Sequence, residues 1–355
     1  MNTVAHRRGC LRGGVWRPAL MVAAMGASLA LAWKADGQQG PPRGGPPPMR
    51  QHRATEAKPL RLEPATKRPP GRNELQMEVR GDKRVILANA LPNHLVGAFP
   101  NRNNPNTIQP QRYQFELPAK PEIAAAITWV DRAAAPGERG PPNIPFGIAL
   151  NGILFDPGTA EFWNGDRQAG WNYEALGGAV PLGLDEHHAH VQPNGAYHYH
   201  GVSHVVMDQL ALAPNQHSPI VGWAADGFPI YALRGYQDPK AATGGMKTLT
   251  SSYALKRGDR PRPPDGPGGK YDGTFTWDYE FVAGSGDLDE CNGRFCVTPE
   301  FPEGTYAYFL TMEWPVIPRG FRGTPVALRG PGPGPDGGPG GGPPRRRGPP
   351  PPPPP

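Results

Sequence analysis

Seven of the ten histidines lie between residues 187 and 217, and the densest stretch reads Leu184-Asp-Glu-His-His-Ala-His-Val-Gln-Pro-Asn-Gly-Ala-Tyr-His-Tyr-His200. An imidazole binds a transition metal through a neutral ring nitrogen, and a site needs several imidazoles or carboxylates converging from different segments. Successive side chains of a strand point to opposite faces, so a strand over Ala196 to His200 puts His198 and His200 on one face, where both can reach one ion. Tyr197 and Tyr199 then fall on the other face, as packing residues. The turn feeding the strand offers His187, His188 and His190 for a third ligand, with Asp185 or Glu186 as carboxylate ligand or outer partner. His94 and His217 are more distant metal candidates. These residue types suit Zn2+, Cu2+ or Fe2+ and do not choose among them. If the site is catalytic, the chemistry is metal-assisted hydrolysis, with Asp185, Glu186 or His204 as proton carrier. Two other classes compete: a non-catalytic binding or surface-interaction domain in which the ion staples loops, and an adhesion module whose histidines are solvated or bound within a turn.

The elements that must position these residues are short. Apolar alternation marks strands at Leu75 to Val79, Arg84 to Asn89, Tyr113 to Leu117, Ile144 to Leu150, Ile153 to Phe155, Ala196 to His200, Ile220 to Ala224, Phe228 to Leu233, Thr274 to Phe281 and Thr305 to Thr311. Asn-Gly, Asp-Gly, Asp-Pro and Pro-Gly turns separate them. Helix signal is confined to Asn172 to Leu176 and to Ser203 to Leu212, where Ser203 is placed to cap. The expectation is a mainly β protein, a single sandwich-like or barrel-like domain with few short helices and long Gly/Pro-rich loops. Residues 242–269 read as an excursion from its core. Asp226 and the acidic group Asp287, Asp289 and Glu290 read as turn residues. No phosphate-cradling glycine loop, nucleophile elbow or His-Glu-x-x-His helix occurs in the sequence.

Composition bounds the domain. The 355 residues include 48 Gly and 49 Pro, crowded toward the ends. The first 73 residues hold 13 Lys/Arg against 3 Asp/Glu, and residues 331–355 hold 3 against 1, so 21 basic and 27 acidic residues remain for 74–330. The overall charge of +6 thus conceals an acidic core between basic flanks, which argues against a nucleic-acid surface. Arg7, Arg8, Arg12 and Arg17 precede an apolar run from Pro18 to Ala32 that is short for a bilayer span and ends in a small-x-small pattern. We read 1–32 as a signal peptide, for the general secretory route or, through Arg7-Arg8, the twin-arginine route, then 33–73 as a disordered linker, 74–330 as the folded domain and 331–355 as a disordered tail. The mature chain would be periplasmic or extracellular with no transmembrane segment. In that compartment Cys291 and Cys296 read as a disulfide. The substrate or surface ligand is unspecified.

One internal similarity bears on the site. Leu184-Asp-Glu-His187 followed by Gly195-Ala-Tyr-His-Tyr-His200 parallels Leu288-Asp-Glu-Cys291 followed by Gly304-Thr-Tyr-Ala-Tyr-Phe309. If the repeat is structural, alternating tyrosines are the scaffold and histidines the addition, which assigns the chemistry to the first copy.

These residues resemble the YHYH family, named for the Tyr197-His198-Tyr199-His200 motif. The likeness extends through Asn89-Ala-Leu-Pro-Asn-His94, Phe146-Gly-Ile-Ala-Leu-Asn-Gly152 with Phe155-Asp-Pro157, His217-Ser-Pro-Ile-Val-Gly222 with Asp226-Gly-Phe-Pro-Ile-Tyr231, and Leu288-Asp-Glu-Cys-Asn-Gly-Arg294. The resemblance implies an exported protein of unestablished biochemical activity, and it singles out His94, His190, His198, His200, His217 and Asp226 without giving them roles. The second Tyr-x-Tyr-x copy, Tyr306-Ala-Tyr-Phe309, departs from relatives that carry histidine there.

Overall fold

The structure is a computed structural model, and it describes residues 51–130, 144–212 and 214–328, without the side chains of Gln209 and Leu212. The segments read as signal (1–32) and tail (331–355), and residues 33–50 of the segment read as linker, lie outside these residues. Among the described residues seventeen strands follow one another: β1 Leu75–Arg80, β2 Lys83–Ala88, β3 Tyr113–Pro118, β4 Thr128–Trp129, β5 Gly147–Ala149, β6 Leu154–Phe155, β7 Ala189–Val191, β8 Tyr197–Tyr199, β9 Gly222–Ala224, β10 Pro229–Ala232, β11 Arg234–Tyr236, β12 Met246–Thr248, β13 Tyr253–Leu255, β14 Tyr279–Phe281, β15 Gly293–Cys296, β16 Thr305–Leu310 and β17 Gly320–Phe321. One α-helix, α1, spans His204–Leu212, and the Ser203 hydroxyl accepts the Val205 N–H at 3.3 Å, as a cap should. The protein is mainly β, as expected.

Eight strands form one mixed sheet in the order β15-β16-β10-β9-β5-β6-β8-β7, with separate edges rather than a closed barrel. The antiparallel meander β1-β2-β3 places Ile86, Phe115 and Leu117 in the same buried cluster as Ile148, Tyr197 and Tyr308 of the large sheet. Two sheets therefore share one core, as in a sandwich.

The large sheet is built twice. Its pairing reads the same from either edge: an antiparallel outer hairpin, a parallel step, then an antiparallel inner hairpin, meeting at β5 and β9. The central register is self-complementary, with Gly147 opposite Ala224, Ile148 opposite Trp223 and Ala149 opposite Gly222. The inner hairpins turn at Asn151-Gly152 and Asp226-Gly227, where the glycines take φ of +81° and +92°. The Asn151 Oδ1 accepts the Ile153 N–H at 3.2 Å and the Asp226 Oδ1 accepts the Phe228 N–H at 3.3 Å. Ahead of the outer hairpins, Asp185 and Asp289 make matching bonds. Asp185 accepts the His187 N–H (3.0 Å) and the Tyr197 hydroxyl (2.7 Å), while Asp289 accepts the Cys291 N–H (2.9 Å) and the Tyr306 hydroxyl (2.9 Å). Even the non-glycine residues at positive φ correspond, His188 at +54° and Asn292 at +53°. The tyrosine alternation is the scaffold of both halves.

Three sequence expectations are corrected. Residues 51–73, which composition assigned to a linker, lie along the domain: Lys58 N–H bonds to Gly177 O at 3.0 Å and Glu63 N–H to Leu184 O at 2.9 Å. Basic composition does not prevent this, because the contacts are made by backbone. The excursion over 242–269 is tied back by Arg260, whose buried guanidinium bonds Asp278, Asp272 and the Thr55 carbonyl. Finally, Cys291 and Cys296 form no disulfide; both are free and buried. Cys291 packs in the cluster of Tyr306 and Tyr308, and Cys296 in that of Ala307 and Phe309. Alternation along β16 sends those two sets to opposite faces, so the sheet separates the thiols.

Two outcomes follow. Alkylation in denaturant without reductant should modify both Cys291 and Cys296, whereas recovery of a linked peptide would contradict the separation. Removing either tyrosine hydroxyl, by Tyr197→Phe or Tyr306→Phe, leaves the buried Asp185 or the half-buried Asp289 one donor short and should cost about 1–3 kcal/mol in urea unfolding. A change in only one of the two would deny that the copies are equivalent.

Candidate metal centre

The Asp185 turn sets the site. Its carboxylate is fully buried, and both oxygens are occupied: Oδ2 by the Gly97 N–H (3.0 Å) and the Tyr197 hydroxyl, Oδ1 by the N–H groups of His187 and Ala189. Burial pushes this carboxyl up, and the four donors pull it back. The turn starts β7 so that His190 falls directly opposite His198 in the β7–β8 ladder, with His200 immediately beyond β8 on the same face.

The three imidazoles converge. The His198 Nε2 lies 3.0 Å from the His200 Nε2, which lies 3.2 Å from the His190 Nε2. Ring centroids are 4.7, 4.7 and 4.8 Å apart, a nearly equilateral arrangement. The tautomers are fixed from behind, since a carbonyl can only accept: His190 Nδ1–H donates to Leu182 O at 2.9 Å and His198 Nδ1–H to Ala196 O at 3.3 Å. Their Nε2 lone pairs are therefore left facing inward. Lone pairs so placed need either a proton on the His200 Nε2 or a cation between the three rings. A tetrahedral ion with bonds of roughly 2.0–2.1 Å separates two ligand nitrogens by about 3.3 Å, close to the spacing found. His198 and His200 are each 3% exposed, and burial holds His190 and His200 neutral, His190 down to about 3 and His200 well below the usual imidazole range. Neutral imidazole is the form that binds metal. Among the described residues, His190, His198 and His200 are the group whose ligand atoms could hold an ion.

The triad borders a cavity of about 430 Å3. Asp156 and Gln192 also line it, and the Gln192 Nε2 donates to the Asp156 Oδ2 at 3.0 Å. His52, from the segment read as linker, closes part of the wall and meets Glu161 at 2.8 Å. Sequence reasoning missed Asp156. Asp156 follows β6, which pairs in parallel with β8, and its own N–H bonds the Tyr199 carbonyl at 2.9 Å, a pairing that no local sequence pattern marks.

The other sequence candidates go elsewhere. His94 and His187 stack at 3.9 Å on the tyrosine face, where the Tyr199 hydroxyl donates to the His94 Nε2 at 2.7 Å. The His187 Nδ1 shares a 2.9 Å hydrogen bond with the Ser203 hydroxyl, and His188 Nδ1–H donates to Val202 O at 3.0 Å. His217 belongs to the second half, against Tyr231 and Tyr236. Of the residues read as proton carriers, Asp185 is consumed by its turn, Glu186 accepts the Ala65 N–H at 2.8 Å, and His204 is exposed on α1; none lines the triad's cavity. In the second half the positions of His190, His198 and His200 are held by Arg294, Ala307 and Phe309, with the guanidinium 5.5 Å above the Phe309 ring. That half has no ligand set.

Buried histidines outside the triad give the fold a pH dependence. His187 is held down to about 4 against an ordinary value of 6.5, mainly by burial and then by His94, and burial lowers His94 and His217 as well. Between those values the unfolded chain binds more protons than the folded one, so stability rises with pH there. It should be complete above about pH 6.5 and decline as pH falls toward 4. The urea midpoint of metal-free protein should drop across that window, and His187→Gln should flatten the slope; a midpoint unchanged from pH 7 to 4.5 would contradict the burial of neutral imidazoles.

A model described as YHYH protein matches residues 114–323, more than half of the chain and the whole span from β3 to just beyond β17. No curated protein and no solved structure matches the sequence. The matched span contains both halves of the sheet and the converging triad, and the chain belongs to the YHYH family.

Proposed function

We propose that this is an exported, metal-dependent hydrolase whose divalent transition metal is held by His190, His198 and His200. The observation that carries the reading is the convergence of three inward-facing Nε2 atoms on the wall of an open cavity of about 430 Å3. Three protein ligands leave room for water and substrate, which distinguishes a reactive site from a closed structural one. A divalent ion so placed supplies Lewis acidity and makes a bound water acidic near neutral pH. The protein's part is to fix the ligands, exclude bulk water and move a proton. We assign the proton transfer to Asp156, which is 2% exposed and oriented by Gln192. Export follows from the amino-terminal signal pattern and would deliver the folded protein to a compartment where its substrate lies.

One observation favours a second reading. β7 is an edge strand of three residues, paired only with β8, and an ion joining His190 to His198 and His200 would staple that edge. In that case the ion stabilises a binding module and turns over nothing.

Protein purified without chelator or affinity histidines should contain about one equivalent of a single transition metal. His198→Ala/His200→Ala should abolish it while the fold persists. Asp156→Asn should retain the metal and lower hydrolysis across a panel of 4-nitrophenyl esters and phosphates by about 100-fold or more. Bound metal with no turnover by the parent protein would select the stapled module, and absence of metal from the parent would refute both readings.

A further inference from the structure

A second cavity, of about 490 Å3, adjoins the first. Its walls are the segment 58–61 and the segment 178–184, with Arg102 on the rim. The walls are joined at their ends, by Lys58 N–H to Gly177 O at 3.0 Å and Glu63 N–H to Leu184 O at 2.9 Å. Contact at the first end is close enough that a Cβ on Gly178 would lie 2.1 Å from the Lys58 carbonyl oxygen. Between the two bonds the walls form no ladder. Pro59 has no N–H to give and Pro181 none to return. The backbone therefore arches apart and leaves a space of fixed width.

The lining of that space is one-sided in charge. Lys58, Arg61 and Arg102 contribute to it and no carboxylate does. Among the described residues none of the three has an ion-pair partner. The inner wall adds neutral donors. Ala179, Val180 and Gly183 line it with little exposed surface, and their N–H groups reach no acceptor among the described residues. Buried backbone N–H groups are nearly always paired with protein, water or ligand. Three cations and three unmatched donors around one space are complementary to an oxyanion.

The two cavities share Asn103, Val180, Pro181 and Leu182 as a common wall. The Leu182 carbonyl is also the acceptor that orients His190. An occupant of the second cavity is thus separated from the first cavity by one shared wall.

We propose that the cavity between residues 58–61 and 178–184 is an anion subsite, which takes a carboxylate, sulfate or phosphate group of a substrate whose reacting bond lies at the His190, His198 and His200 centre. Anion capture stands on the cavity itself, and the link to a reacting bond rests on the hydrolase reading.

The test uses the full chain free of metal. Inorganic phosphate, sulfate and acetate are titrated separately and followed through the backbone amide resonances in 1H–15N NMR. Saturable shifts are expected at Ala179, Val180 and Gly183, and the order among the anions identifies the preferred group. Lys58→Ala/Arg61→Ala/Arg102→Ala should weaken binding at least tenfold, and His198→Ala/His200→Ala should leave it unchanged. No saturable shift, or binding lost in the histidine variant and kept in the triple variant, overturns the subsite. With metal bound, kcat/KM for mono-4-nitrophenyl succinate relative to 4-nitrophenyl acetate should fall about tenfold in the triple variant. An unchanged ratio overturns the link to the reacting bond. If neither ester is hydrolysed, the hydrolase reading fails and the phosphate titration still decides the subsite.

Discussion

A buried carboxylate that must find four donors governs the geometry of the site. Once Asp185 is removed from water, it is tolerable only if the N–H groups of Gly97, His187 and Ala189 and the Tyr197 hydroxyl all reach it. Meeting that demand fixes the turn, the start of β7 and the depth of Tyr197 together. With Tyr197 held on one face, His198 has no choice but the other, and the ladder brings His190 opposite it. The convergence of the three imidazoles is thus imposed from the far side of the sheet, by residues that never touch the cavity. Tyr199 is anchored in the same way, through Asn151 at 2.9 Å and His94 at 2.7 Å.

The second half shows the same device without the chemistry. Asp289 holds Tyr306 and Asp226 holds Tyr308, as Asp185 and Asn151 hold their tyrosines, while Arg294, Ala307 and Phe309 fill the ligand positions with packing. The scaffold is therefore stable without metal ligands, and the histidines of the first half are not needed to build the sheet. A residue set that the fold does not require, buried and aligned at ligand spacing, is best understood through what it binds.

Much of this was legible in the sequence because it depends on period two. Alternation in Tyr197-His-Tyr-His200 and in Tyr306-Ala-Tyr-Phe309 identified the strands, their faces and the repeat, and nine of the ten expected strands overlap observed ones closely. The remaining stretch, Thr274 to Phe281, is broken by a 3-10 turn at Thr276–Asp278, whose backbone the Asp278 carboxylate gathers. What could not be read was which histidine of the turn joins His198 and His200. That choice depends on a residue at positive φ, His188, which shifts the phase by one and turns His187 toward Ser203. Asp156 was hidden because a parallel pairing between β6 and β8 leaves no local mark. The segment 51–73 was misread because its contacts are backbone bonds, to which composition is blind.

The central claim is that three particular imidazoles, among the nine in the described residues, form one metal site. Long-range 1H–15N NMR of the histidine side chains, recorded before and after one equivalent of Zn2+, addresses it directly. The account expects His190 and His198 to be Nδ1–H tautomers in the metal-free protein, and the Nε2 resonances of His190, His198 and His200 alone to move together on titration. Movement of a different set, or of none, would contradict it.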